Sequence, residues 1–174
     1  MKRFILFGFL VFIIAIVVIN YRTPFLQEEG GPWSIGFGFS ENIPEKIDFQ
    51  KNELYSAEKL KKISDSTSFL ADPFFIKEKD SFYIFIEHKK SGKSNADIAV
   101  LTSADGKNYA FKGTVLNQKF HLSYPQVFKY KNEFYMVPET KQAGAILLYK
   151  AHKFPFDWRI SDTLVHNVNL KDPT

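Results

Sequence analysis

The chain contains no cysteine, which excludes a disulfide framework, a thiolate metal site and lipid acylation of an N-terminal thiol. Any exported domain of this sequence must therefore hold together by packing alone. Methionine and tryptophan are scarce, at two residues each, so the large apolar volume has to come from 19 phenylalanines and from the aliphatics. Acidic residues are missing from the first 22 positions, where Lys2, Arg3 and Arg22 stand unbalanced. Removing these three from the 23 basic residues leaves 20 against 19 acidic ones, and a net charge of +1 argues against a nucleic-acid surface.

One long hydrophobic run is present. Phe4 to Ile19 is apolar or glycine throughout, preceded by Lys2-Arg3 and followed by Asn20-Tyr21-Arg22. It reads as a transmembrane helix, with residues 1–22 an uncleaved membrane anchor and residues 4–19 the contact with the bilayer. The bulky end Ile16-Val17-Val18-Ile19 offers no small-x-small cleavage site, although a signal peptide remains the rival reading. The positive-inside rule then implies a single-pass protein with its N-terminus cytoplasmic and its domain extracytoplasmic. Residues 23–32, with Glu28-Glu29 and Gly30-Gly31-Pro32, read as a linker, and residues 33–174 as the domain.

That domain is organised by an internal repeat. Ala71 to Glu87 is echoed without a gap by Ser123 to Glu139: Pro73 falls on Pro125, Lys77 on Lys129, Phe82-Tyr83 on Phe134-Tyr135 and Glu87 on Glu139, an offset of 52 residues. Asp172-Pro173 opens a third copy. A period near 50 suggests a propeller or solenoid. Each copy carries two short β-rich runs around a polar turn, then a third and a fourth run, Ile98 to Leu101 matching Ile146 to Tyr149 and Val115-Leu116 matching Thr163-Leu164. Pro73 and Pro125 belong at the first residue of a strand. The expected fold is all-β: about two four-stranded blades of a propeller, near residues 72–118 and 124–166, plus the start of a third. A β-helical solenoid is the alternative.

Between linker and repeat, Ser34-Ile35-Gly36-Phe37-Gly38 reads as strand rather than as a phosphate-binding loop, because no helical pattern follows it. Residues 45–66 are rich in Lys and Glu, with Leu54, Ala57, Leu60 and Ile63 near helical spacing behind Ser56 as a cap. A short surface helix or an irregular loop fits.

In Ala71-Asp72-Pro73-Phe74, Phe85-Ile86-Glu87, Ser103-Ala104-Asp105-Gly106, His121-Leu122-Ser123-Tyr124-Pro125, Tyr135 to Thr140 and Leu148 to Pro155, the chain resembles the N-terminal domain of glucosamine inositolphosphorylceramide transferases. The resemblance covers about residues 33 to 174. It implies a five-bladed propeller related to family 43 glycoside hydrolases and to the invertase and levansucrase clan, here two units and part of a third. It also implies work on glycoconjugates or polysaccharides. No stretch matches the separate transferase module, so transferase activity does not follow from the resemblance.

Glycoside hydrolysis needs two carboxyl groups across the scissile bond. In the hydrolases that the chain resembles, successive blades each bring an acid to the axis. By motif Asp72 takes the first catalytic position and Asp172 the third, while Tyr124 stands where the second blade would supply a carboxylate. Glu87 and Glu139, at equivalent ends of otherwise aromatic or apolar strands, and His121 beside Tyr124 are candidate substrate-binding residues. Each has a plainer reading beside it. Asp72 before a proline can simply bond nearby amides, and Glu87 and Glu139 can be solvated hairpin residues. A nucleophilic role for Ser123 beside His121 lacks a local acid to orient the imidazole. His88-Lys89-Lys90 with Lys93 reads as a solvated hairpin tip, although an anionic glycan or lipid head group would suit it. No metal or cofactor is expected. The leading reading is a carbohydrate-recognition propeller with a carbohydrate or glycolipid head group as partner. The alternatives are a family 43-like glycosidase and a partner-docking scaffold, and activity of this chain as it stands is not expected.

Overall fold

The computed structural model describes residues 2–22, 33–38, 40, 42–43, 53–56, 59–60, 62 and 66–174. The 23–32 linker lies outside the described residues. The chain divides into two compact units, Met1–Gly31 and Pro32–Thr174. The first contains the helix α1, Lys2–Arg22. The second is β-structure: β1 (Ile35–Phe37), β2 (Glu53–Tyr55), β3 (Thr67–Glu78), β4 (Ser81–Lys90), β5 (Ala96–Ser103), β6 (Ala110–Leu116), β7 (Ser123–Tyr130), β8 (Glu133–Glu139), β9 (Ala145–Lys153) and β10 (Asp157–His166).

The strands form two antiparallel four-stranded sheets, in the orders β3-β4-β5-β6 and β7-β8-β9-β10, and a two-stranded ribbon β1-β2. Strand alternation gives each sheet two chemically distinct faces. On one face of the first sheet Phe85, Ile98 and Val100 pack against Met136, Leu147, Tyr149 and Trp158 of the second. On the other, Ile84, Ile86, Ala99 and Leu101 are covered by Ile35, Tyr55 and Leu60. The middle strand β5 is thus apolar on both faces and buried almost throughout. Aromatic rings fill the join between the sheets: Phe85 meets Trp158 edge-to-face at 5.7 Å, and Phe154 stacks on Phe134 at 3.8 Å.

The repeat recurs as a register. Ala71 faces Glu87 across β3-β4, and Ser123 faces Glu139 across β7-β8. In both hairpins the register then slips, between Ala71 and Phe74 and between Ser123 and Gln126, so Asp72-Pro73 and Tyr124-Pro125 form the same bulge. The bulges share a left-handed backbone, with φ of 49° at Asp72 and 48° at Tyr124, and Asp172 repeats it at 46°. An L-residue there costs on the order of 1–2 kcal/mol, which Asp tolerates better than Tyr.

Three expectations need correcting. The domain is not a propeller with a third blade begun: the two sheets do not close on themselves, and no strand follows β10 among the described residues. A ring needs every sheet covered on both faces, whereas Phe128, Ile160, Leu164 and Val165 of the second sheet are exposed. The chain as a whole is mostly β rather than all-β, its expected N-terminal helix being present as α1. Nor is α1 a transmembrane helix. Sixteen apolar residues at 1.5 Å each reach about 24 Å, against a hydrocarbon core of about 30 Å. Among the described residues no helix is long and apolar enough to cross a membrane. The transmembrane helix, the single-pass localisation and the bilayer partnership through residues 4–19 all fall with it. Within residues 45–66, Leu54 lies in β2 rather than on a helix, while Ser56 Oγ does accept the Lys59 N–H at 3.1 Å.

The packing between the sheets generates a contrast. Phe85→Ala should destabilise the chain by about 3–5 kcal/mol in urea unfolding, whereas Phe75→Ala, at an exposed position, should cost less than about 1 kcal/mol. Equal losses would mean that the two sheets are not held by the Phe85 cluster.

Candidate functional site

The shared bulge decides where the acids go. By turning the backbone at Asp72, it sets that side chain beside the start of the second sheet, where Asp72 Oδ2 accepts the Tyr124 N–H at 3.1 Å. Glu87, opposite the bulge at the far end of β4, is only 7% exposed and shares a hydrogen bond with the Asp72 carboxyl. Burial first, then the Asp72 charge and hydrogen bond, then Glu139, push the Glu87 carboxyl up to about 8, so Glu87 is protonated at neutral pH.

His121 completes the group. Its Nδ1 accepts the Ala96 N–H at 3.2 Å, which leaves the proton on Nε2, 3.3 Å from Glu87 Oε1. Burial and nearby Lys89 hold the imidazole below its ordinary value, so this is a close contact between neutral groups rather than an ion pair. The backbone N–H of His121 is held in turn by Gln142 Oε1 at 3.0 Å. A contiguous group results: the Ala96 N–H donates to His121, His121 Nε2 lies against Glu87, Glu87 shares a hydrogen bond with Asp72, and the Tyr124 N–H donates to Asp72. His121 thus meets Ala96 and Glu87 rather than Ser123.

The second repeat carries a partial copy. Glu139 is 8% exposed, and its Oε2 accepts the Asp172 N–H at 3.2 Å. Burial raises the Glu139 carboxyl, helped by the Asp172 side chain and opposed by the Asp172 N–H. Glu139 is also close enough to raise Glu87. Asp72, Glu87, His121 and Glu139, together with the backbone of Tyr124 and Asp172, are therefore brought to one region. The Tyr124 ring packs edge-to-face on Phe74 at 4.8 Å. Among the described residues, no group of three or more His, Asp or Glu side chains is placed to hold a metal ion.

The reading of Glu87 and Glu139 as solvated hairpin residues does not hold, since both are buried. Nor is His88 at a solvated tip: it is 1% exposed, bonded to Thr67 Oγ1 at 2.9 Å and set edge-on to Phe111. The sequence reading missed Gln142, the Ala96 N–H and the electrostatic part of Lys89. The first two lie 21 and 25 residues from His121, and no local pattern marks them.

Comparison with known proteins places this geometry in a family. Residues 50–172 match the family described as glucosamine inositolphosphorylceramide transferase 1, N-terminal, and the chain belongs to it. Over 100 residues, 57% of the chain, it is 41% identical to glucosamine inositolphosphorylceramide transferase 1 of Oryza sativa and 37% identical to that of Arabidopsis thaliana. The match spans 13% of the length of these relatives. Among solved structures, an arabinanase of Bacillus subtilis is similar at a TM-score of 0.44 and 17% identity, covering 59% of this chain and 40% of that one. A GH32 β-fructofuranosidase of Bombyx mori is similar at 0.43 and 16%, covering 57% and 24%.

The raised Glu87 carboxyl has a measurable consequence. Unfolded Glu87 titrates near 4.5 and folded Glu87 near 8, so between these values the folded chain keeps a proton that the unfolded chain has released. The stabilisation from this group is complete below pH 4.5 and declines as pH rises towards 8. Urea midpoints at pH 5, 6.5 and 8 should fall in the wild type, and Glu87→Gln should flatten that decline. A parallel decline in the variant would show that Glu87 is not the titrating group.

Proposed function

We propose that the chain is a carbohydrate-recognition module used in glycoconjugate or polysaccharide assembly, with its sugar held by Asp72, Glu87, His121, Tyr124 and Glu139. The observation that carries this reading is the interlinked group Asp72–Glu87–His121. It combines a protonated acid, a second carboxyl and an imidazole of fixed tautomer, next to the Tyr124 backbone. Such a set offers donors and acceptors at fixed places, as hydroxyl recognition requires. The relatives are named as glucosamine inositolphosphorylceramide transferases, and a sugar or glycolipid head group is the ligand class that a domain shared with them would meet.

Hydrolysis is the weaker use of the same residues. A glycosidase separates its two carboxyl groups by about 5–9.5 Å so that the scissile bond fits between them. Glu87 and Asp72 instead share a hydrogen bond, so this pair grips a ligand or one another but does not flank a bond. Asp172 meets Glu139 through its backbone N–H.

Calorimetric titration of the full chain with D-glucose, D-galactose and L-arabinose tests the reading. At least one sugar should bind, and Asp72→Asn or Glu87→Gln should weaken it about tenfold or more, the effect of losing a hydrogen bond to a charged or buried group. Absence of binding by all three, or unchanged affinity in both variants, would overturn it.

A further inference from the structure

Sheet one carries another buried titratable group, on the face away from the acids. His88 follows Glu87 on β4 and so points to the opposite side, the side that the β1-β2 ribbon covers. It stands in register with Leu70 of β3 and with Asp97 of β5. Leu70 packs with Ile35, Tyr55 and Leu60, and its N–H reaches the Trp33 carbonyl, at the entry to β1, at 3.5 Å. We propose that His88 is an acid-sensitive latch: taking up a proton there releases the ribbon and bares Ile84, Ile86, Ala99 and Leu101. The device needs no ligand.

The imidazole has no provision for a charge. Its Nε2 is engaged with the buried Thr67 Oγ1 at 2.9 Å, and its Nδ1 has no hydrogen-bond partner among the described residues. An imidazolium donates from both nitrogens, so protonation buries an N–H and a charge with nothing to accept them. The charged groups that face it do not change this. Asp97 already accepts from Asn117 Nδ2 and lies 3.4 Å from Lys90 Nζ, and Lys90 is itself a like charge. From β6 comes the Phe111 ring, 5.2 Å from the imidazole, and from the ribbon the cluster of Ile35 and Tyr55. Burial first, then Lys90, hold the imidazole below its ordinary value against the pull of Asp97.

The ribbon is the part of the domain that such a change can free by itself. Its strands are three residues each, too short to stand alone. Besides the Leu70 bond, the Tyr55 hydroxyl donates to the Tyr109 carbonyl at 2.7 Å and accepts the Tyr109 N–H at 3.2 Å. Once the ribbon lifts, water reaches His88 and the ring recovers its ordinary affinity for a proton. The closed form therefore keeps its full advantage above pH 6.5 and loses it as the pH falls below that value. Glu87 works in the opposite sense, but it lies on the other face and is untouched by opening of the ribbon.

Hydrogen exchange of the full chain at about pH 7 and pH 5, corrected for the intrinsic chemistry of exchange, tests the latch. Protection of the Leu70 amide should fall about tenfold or more at the lower pH. Protection of the Val100 amide, in the middle of sheet one, should not fall, because parting the sheets also exposes Glu87, which favours the closed state at the lower pH. The double variant Thr67→Val with His88→Leu removes the titrating ring and strands no hydroxyl, and should keep Leu70 protected at both pH values. NMR titration of the wild-type imidazole needs no variant: His88 should take up its proton only together with the loss of Leu70 protection. Undiminished Leu70 protection at pH 5, a loss that persists in the double variant or is shared equally by Val100, or an imidazole that protonates while Leu70 stays protected overturns the latch.

Discussion

Where the two sheets meet, the carboxylate of Asp72 accepts the backbone N–H of Tyr124, and much of the arrangement depends on that bond. The residue that supplies the acceptor and the one that supplies the donor occupy the same position in successive repeats. Both sit in a left-handed bulge ahead of a proline. Proline fixes the following φ and offers no N–H, so the bulge cannot relax into a regular ladder. A donor freed by the irregularity in one unit is thus satisfied by a carboxylate freed by the irregularity in the previous one. Glu139 and the Asp172 N–H repeat the device with a different acid.

That junction also explains why so many carboxyl groups can be buried together. Three or four charged acids side by side would repel and lose their hydration. Protonation of Glu87 removes one charge, the two backbone N–H groups offset others, and His121 lies against Glu87 without becoming an ion. Lys89 supplies the nearby positive charge. In the proposed recognition role, this group exchanges its internal hydrogen bonds for those of a polyol.

The faces of the sheets carry a second consequence of repetition. Sheet one is covered on one side by the β1-β2 ribbon and on the other by sheet two, through the Phe85, Met136 and Trp158 cluster. Sheet two has the same alternation and so the same two apolar faces, but apolar side chains on it stay in solvent. Burial is therefore complete around β5 and incomplete around β10.

The ungapped echo of Ala71–Glu87 by Ser123–Glu139 made the two four-stranded units legible, because strand alternation and turn chemistry are local and repeat with the residues. Family membership was legible for the same reason, in ordered short motifs. The apolar run Phe4–Ile19 marked a helix, but composition spoke for a membrane where length does not reach. Closure into a ring depends on what covers each sheet face, which lies beyond any one strand's pattern. Burial of Glu87 and His88, the tautomer of His121 and the pairing of Asn117 with Asp97 were decided only by the fold. These contacts join residues about 20 or more positions apart, and a side chain's charge state follows from the partners and solvent it meets there rather than from its neighbours in the chain.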